Sequence, residues 1–178
     1  PEGTRALTDM AGREVEVPAV IEKAFSTDPT AAIFLYTLVP DRMLGWNYEL
    51  NDLEKSIILD EYETLPNFGM GDAINYEAVL AAGPDIAFMV GTINDAVVSE
   101  SLGIPVVVVD SELSHTPEAY RFMGELFGVE ETAEQLAAYA ERTLDDIANM
   151  DIPEEEKVRM YYGNGEDSLE TAPAGSSH

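Results

Sequence analysis

The sequence predicts an α/β fold, a mainly parallel sheet flanked by helices, with an N-terminal β-hairpin and a long C-terminal helix. Three observations carry this. Short apolar runs alternate with helix-length segments between residues 23 and 109, the pattern of a parallel sheet covered on both faces. The runs Asp85–Val90 and Ile104–Val109 are almost wholly apolar, as strands buried on both faces must be. Finally, Ala133, Leu136, Ala140, Leu144 and Ile147 recur every three or four residues, one face of a helix.

Each element follows from local chemistry. Ala6-Leu7-Thr8 and Glu14–Val17 alternate around Gly12 and stop at Pro18, a small hairpin. Lys23–Thr27 is a short strand that ends in the polar turn Ser26-Thr27-Asp28-Pro29. There Asp28 is an N-cap and Pro29 a first helical residue, so Ala31–Leu38 continues as helix. Arg42–Trp46 is the next strand expected, followed by a polar and aromatic stretch from Asn47 to Met70 with a short helix at Asp52–Leu59. Asn75 caps a helix that runs through Ala82 and is ended by Gly83-Pro84. Strand Asp85–Val90 leaves through Gly91-Thr92, helix Asp95–Leu102 stops at Gly103, and strand Ile104–Val109 leaves through Asp110-Ser111. Pro117–Phe127 is helical up to Gly128, and Glu130–Met150 forms a rod of about 30 Å. Pro153 and an acidic turn precede a last strand, Val158–Tyr162, which opens into Gly163-Asn164-Gly165. The strand–helix alternation makes the body of the chain a Rossmann-like lobe.

Composition excludes several functions. Across 178 residues, nine Lys+Arg against 35 Asp+Glu leave a formal charge of −26. Such a field repels phosphate backbones and anionic membranes, so no nucleic-acid partner is expected. There is no cysteine, which removes thiol nucleophiles, disulfides, Cys-ligated zinc and iron–sulfur clusters. No apolar run approaches the ~20 residues of a membrane span. The acidic excess falls mostly on helix faces and turns and reads as a solvated surface; it does not select a ligand.

Catalytic constellations are missing. His115, in a Ser114-His115-Thr116-Pro117 helix entry, and His178 are the two histidines; neither is placed for a Ser–His–acid triad or a histidine metal site. Gly69-Met70-Gly71 lacks a third glycine, and Gly163-Asn164-Gly165 has Ser168 in that place, so both read as turns rather than dinucleotide fingerprints. Asp145 and Asp146 are adjacent on a helix and diverge, which argues against a shared-proton dyad. A binding protein fits better than an enzyme. The alternative is a small Rossmann-like α/β enzyme using a nucleotide-like cofactor without a standard glycine motif.

The order of landmarks resembles a known family. The segments are Leu7-Thr8-Asp9-Met10-Ala11-Gly12-Arg13-Glu14-Val15-Glu16-Val17-Pro18, Pro40-Asp41-Arg42-Met43-Leu44-Gly45-Trp46, Leu65-Pro66 with Gly69, and Asn75-Tyr76-Glu77-Ala78-Val79-Leu80 leading to Pro84-Asp85-Ile86. Leu102-Gly103-Ile104-Pro105-Val106-Val107, Met123–Gly128, Arg159-Met160-Tyr161-Tyr162 and Leu169-Glu170-Thr171 complete the set. Together they resemble the substrate-binding proteins of ABC importers for iron–siderophore, haem and cobalamin, in which two lobes are joined by one long helix. The resemblance implies an N-terminal ligand-binding lobe over 1–128, an interlobe helix over 129–152, and the start of a truncated C-terminal lobe over 153–178. It implies a periplasmic or extracellular location, a permease partner and a metal chelate as ligand, with no resident cofactor and no metal site of the protein's own. Whether a lipid anchor precedes Pro1 stays open, and a lobe-facing surface left bare would be available for dimerisation.

Ligands of open parallel sheets sit outside the carboxyl ends of the strands. That rule selects the exits Thr27-Asp28, Trp46-Asn47-Tyr48, Gly91-Thr92 and Ser111-Glu112 and the loop Phe68-Gly69-Met70. Trp46 and Tyr48 offer rigid aromatic area with polar handles; the plainer reading of Trp46 is a lid on the core beneath its loop. Phe68 and Met70 supply an adaptable apolar wall or fold back on the sheet. Gly91 admits a ligand close to backbone or simply ends a strand. Tyr162 would reach a cleft in an intact two-lobed protein. Glu77, at the second position of its helix, benefits from the helix dipole; the family resemblance implies instead that it docks on permease arginines.

Overall fold

The computed structural model describes residues 3–91, 95–158 and 163. The chain begins with an antiparallel hairpin, β1 (Thr4–Thr8) and β2 (Glu14–Pro18), in which Leu7 lies opposite Val15 and Arg5 opposite Val17. Three parallel strands follow, β3 (Ala24–Ser26), β4 (Ile86–Val90) and β5 (Val106–Val109), ordered β3-β4-β5. The helices are α1 (Pro29–Leu38), α2 (Asp52–Lys55), α3 (Tyr76–Ala82), α4 (Asp95–Leu102), α5 (Thr116–Phe127) and α6 (Glu130–Ala148). Contacts divide the chain into a first unit, Pro1–Glu141, and a second, Arg142–His178.

The sheet has an apolar layer on each face because its strands alternate between two cores. Ile86, Phe88, Val107 and Val109 point to one side, where α1 supplies Ala31, Phe34, Leu35 and Leu38, and α5 supplies Met123, Leu126 and Phe127. Ala87, Met89, Val106 and Val108 point to the other, against Val79 of α3 and Val98 and Leu102 of α4. Every one of these strand residues is buried, so a shift of register by one residue would exchange the two cores.

Sheet edges need partners, and the hairpin turn supplies one for β5. Met10 N donates to Val108 O at 3.2 Å, Val108 N donates to Asp9 Oδ2 at 3.1 Å, and Arg13 Nη2 donates to Val106 O at 3.0 Å. Asp9 is 4% exposed and also holds Arg13 Nη2 at 2.7 Å. Burial pushes its carboxyl up, but the Arg13 side chain, the Arg13 and Val108 amides and the guanidinium charge outweigh that, and the group titrates below the usual carboxylate range.

Two expected elements are shorter than the sequence suggests. Arg42–Trp46 is not a continuous strand: Pro40–Arg42 is a 3-10 turn, and only Met43 and Trp46 form parallel bridges, to Ala24 and Asn67 respectively. Met43 N closes the turn on Pro40 O while Trp46 N pairs with Pro66 O, so the segment divides its hydrogen bonds between neighbours. Helix Asp52–Leu59 ends after one turn, at Lys55. Asn51 and Glu54 form a capping box at its start, but Ser56 Oγ donates to Leu53 O at 2.6 Å, a local back-bond that competes with helix continuation. Val158 is exposed coil; the remainder of the expected strand Val158–Tyr162 lies outside the described residues.

Helices α5 and α6 approach closely at Gly124, where a Cβ would overlap the Ala133 methyl. Arg121 then grips α6 from the surface, binding Glu134 through Nε and Nη2 at 2.8 and 2.9 Å and Glu141 through Nη1 at 2.7 Å. These exposed pairs orient more than they stabilise; the small-residue contact sets the spacing.

Gly124→Val forces α5 from α6 and destabilises the first unit by about 3 kcal/mol, read as a lowered urea midpoint, whereas Arg121→Ala costs under about 1 kcal/mol. Asp9→Ala strands the Val108 amide and removes the Asp9–Arg13 ion pair, at a cost of about 2–4 kcal/mol. Because the folded Asp9 carboxyl titrates below its unfolded value of about 3.9, its contribution is full above that pH and is lost as pH falls through the folded value. Urea midpoints measured down to acid pH therefore drop more steeply for the wild type than for Asp9→Asn.

Candidate functional site

The carboxyl ends of β3 and β4 open into a cleft of about 480 Å³. Thr27 and Asp28 form its floor, following β3, and Met89 and Val90 come from the end of β4. One wall is Val97 and Val98 of α4; the other is Gly71, Asp72 and Ile74 with Tyr76 at the start of α3. The result is a largely apolar hollow with a hydroxyl, a phenol and two carboxylates, the composition of a small-molecule site.

Asp28 builds the floor. Its Oδ1 accepts from Ala31 N at 2.9 Å, capping α1, while Oδ2 accepts from Val90 N at 3.0 Å. One carboxylate thus ties a helix start to the neighbouring strand end, and Pro29 at the first helical position favours the same entry. Thr27 N donates to Phe88 O at 2.9 Å, which carries the β3–β4 ladder to the rim.

The wall containing Gly71 is held from behind by Asn47. Asn47 Nδ2 donates to Ser26 O at 2.8 Å and to Gly69 O at 3.2 Å, and its Oδ1 accepts from Ser26 Oγ at 3.2 Å. Gly69 has φ +79 and no room for a Cβ, which would collide with Ala73 O. Asn75 N then closes the loop on Phe68 O at 2.8 Å. Tyr76 is half-buried, and burial together with the Asp72 charge pushes its phenol above the usual range. It therefore remains a neutral hydrogen-bonding group at physiological pH.

The expected contact residues divide into three groups. Thr27 lines the cleft; Gly91, exposed with φ +73, directly follows Val90 at its rim; and Thr92 lies outside the described residues. Met70 is exposed beside Gly71, and Tyr48, half-buried, donates from its hydroxyl to Glu54 Oε1 at 2.8 Å, a bond that pushes the phenol up. Trp46, Asn47 and Phe68 are placed inside the protein instead. Trp46 is 4% exposed, stacks near Tyr36 at 5.5 Å and donates from Nε1 to Tyr62 O at 2.9 Å. Phe68 is 3% exposed and meets Phe25 edge-on at 5.7 Å. The expectation that these two rings present surface to a ligand is corrected: each is consumed by core packing.

Glu77 is exposed on α3, in its first turn, and Asn75 Oδ1 accepts from Ala78 N at 3.0 Å to cap that helix. Asp72, Tyr76, Met89 and Val97 escaped the sequence reading. Asp72 follows the Gly69-Met70-Gly71 turn and Tyr76 opens the helix capped by Asn75, and neither position carries a local signal of which way its side chain faces. His115, at the β5 exit, lies outside the cleft and bonds Asp110 Oδ2 through Nδ1 at 2.8 Å. Among the described residues no cluster of His, Asp or Glu is arranged to hold a metal ion.

Comparison with known proteins agrees with this architecture. An ABC transporter solute binding protein from Sulfurospirillum deleyianum matches 98% of this chain and 58% of its own, with TM-score 0.81 and 26% identity. MolA of Haemophilus influenzae, a molybdate periplasmic binding protein, matches 90% of this chain and 58% of its own, with TM-score 0.68 and 20% identity. BauB, a siderophore binding protein solved with two acinetobactin molecules and ferric iron, matches 82% of this chain and 53% of its own, with TM-score 0.62 and 16% identity. The last two show a shared fold. This chain thus spans somewhat over half the length of these relatives. No curated protein matches it. These relatives are binding proteins, and the nucleotide-dependent enzyme considered from sequence is set aside. Residues 42–177 match the family model described as periplasmic binding protein, and the chain belongs to that family.

Proposed function

We propose that this chain is the N-terminal lobe of the extracytoplasmic binding component of an ABC importer, which encloses a metal chelate (an iron–siderophore, haem or cobalamin) and delivers it to a permease. The observation that carries the reading is the match over 98% of the chain to an ABC transporter solute binding protein. The cleft supports it. It lies at the carboxyl edge of the parallel sheet, where ligands of such sheets bind, and it is open to a covering lobe.

In this reading residues 129–152 form the interlobe helix and 153–178 begin the second lobe. Exposed Ile147, Met150 and Val158 in the second unit are apolar surface that further protein would cover. Thr27 and Gly91 contact ligand directly, with Met70 and Tyr48 on the approach, while Asn47 positions the wall that carries Gly71 and Asp72. The protein works in the periplasm or outside the cell; no helix among the described residues is long and apolar enough to cross a membrane. Glu77 meets a basic pocket on the permease, a contact that steers and orients more than it tightens.

Three measurements check this. Thermal unfolding of the full-length protein against metal chelates shows stabilisation of about 3 kcal/mol at a roughly hundredfold excess over Kd; a flat response to every chelate refutes the assignment. Charge reversal, Glu77→Lys, lowers uptake in cells and leaves chelate affinity unchanged, and loss of affinity instead would move Glu77 into the ligand site. Asn47→Ala leaves the Ser26 hydroxyl and Gly69 carbonyl without their partner, costs about 1–3 kcal/mol and weakens chelate binding.

A further inference from the structure

The charges around the cleft are one-sided. The first unit contains six basic residues, Arg5, Arg13, Lys23, Arg42, Lys55 and Arg121, and none of them lines the cleft. Five are bonded elsewhere. Arg5 holds the Glu125 and Leu126 carbonyls, Arg13 holds Asp9, Lys23 holds Ala82 O, Arg42 holds Phe127 O and Arg121 holds Glu134 and Glu141. The cleft itself has Asp28 and Asp72.

These two carboxylates are not equivalent. Asp28 has both oxygens committed to backbone amides and adds charge without offering a free acceptor. Asp72 sits exposed on the short turn Gly71–Ala73 and has no hydrogen bond or ion pair among the described residues. Tyr76 is near enough for the Asp72 charge to act on its phenol. A neutral aromatic ring beside a free carboxylate, facing apolar Met89, Val97 and Val98, attracts a cation through both ring and charge and accepts its methylene surface. An oxyanion would meet two negative charges and no guanidinium or ammonium on this lobe.

We infer that the cleft selects a positively charged metal complex with aliphatic surface, of the cationic ferric trihydroxamate type, and discriminates against anionic chelates and free oxyanions, with Asp72 and Tyr76 as the specificity-determining pair. The inference rests on the importer reading above and narrows its ligand class. Its basis is the charge lining the cleft and not the net charge of the chain, which is spread over solvated faces.

The test uses the full-length protein and isothermal titration with four probes: ferrioxamine B as the cationic trihydroxamate, ferric enterobactin as the anionic tricatecholate, haem with its propionates, and molybdate. Ferrioxamine B binds most tightly, and its affinity falls as ionic strength rises. Asp72→Asn, at an exposed position that leaves the fold intact, weakens it about fivefold. Tyr76→Phe keeps most of the affinity and Tyr76→Leu loses it. Tighter binding of any anionic probe, or no effect of Asp72→Asn on ferrioxamine B, overturns the charge selectivity while leaving the importer reading intact. Binding of none of the four removes both.

Discussion

Burial of β4 on both faces is the constraint from which the rest of this structure follows. Ile86 and Phe88 are in one core while Ala87 and Met89 are in the other, and all four are shielded from water. A strand in that position needs helices above and below it, and parallel neighbours require crossovers to provide them. Once α1 and α5 cover one face and α3 and α4 the other, the strand ends are where backbone and solvent meet. The cleft is the geometric remainder of that arrangement: β3 and β4 stop, the chain departs in two directions, and the gap between the departures is left open.

Short polar side chains near this gap act as fasteners. Asp28 joins the α1 terminus to the β4 end, and Asn47 joins the β3 end to the Gly69 loop. Asp9 performs the equivalent task at the opposite edge of the sheet, where it terminates β5 with the hairpin turn. Each is a short side chain with its polar atoms hydrogen-bonded, and Asp9 and Asn47 are buried, where polar groups need such partners. A rim held in this way is pre-organised, which lowers the ordering cost of any group that docks there.

A binding lobe differs from an enzyme of similar fold in what its polar residues are left to do. Here the acids and amides at the strand exits are engaged with backbone, and His115 is engaged with Asp110 at a surface turn. That pairing raises the imidazole's affinity for its proton, chiefly through the hydrogen bond to Asp110. What remains free around the cleft is the Tyr76 ring, the Asp72 carboxylate and an apolar wall.

Much of the fold was legible in the sequence because its signals are local. Helices α1, α3, α4 and α5 lie within a residue or two of the expected ranges, since Asp28, Asn75, Gly83, Gly103 and Gly128 mark their ends by chemistry that needs no distant partner. The parallel sheet was likewise readable from apolar runs too continuous for one buried face. Trp46 and Phe68 were misplaced because a strand exit says nothing of which way a side chain turns; Tyr62 O, Tyr36 and Phe25, brought up by other parts of the chain, decided that. The same holds for the cleft. Which acids face it, and that no cation among the described residues does, depends on loops packing across strand ends, and side-chain direction across such contacts is set only when the tertiary structure closes.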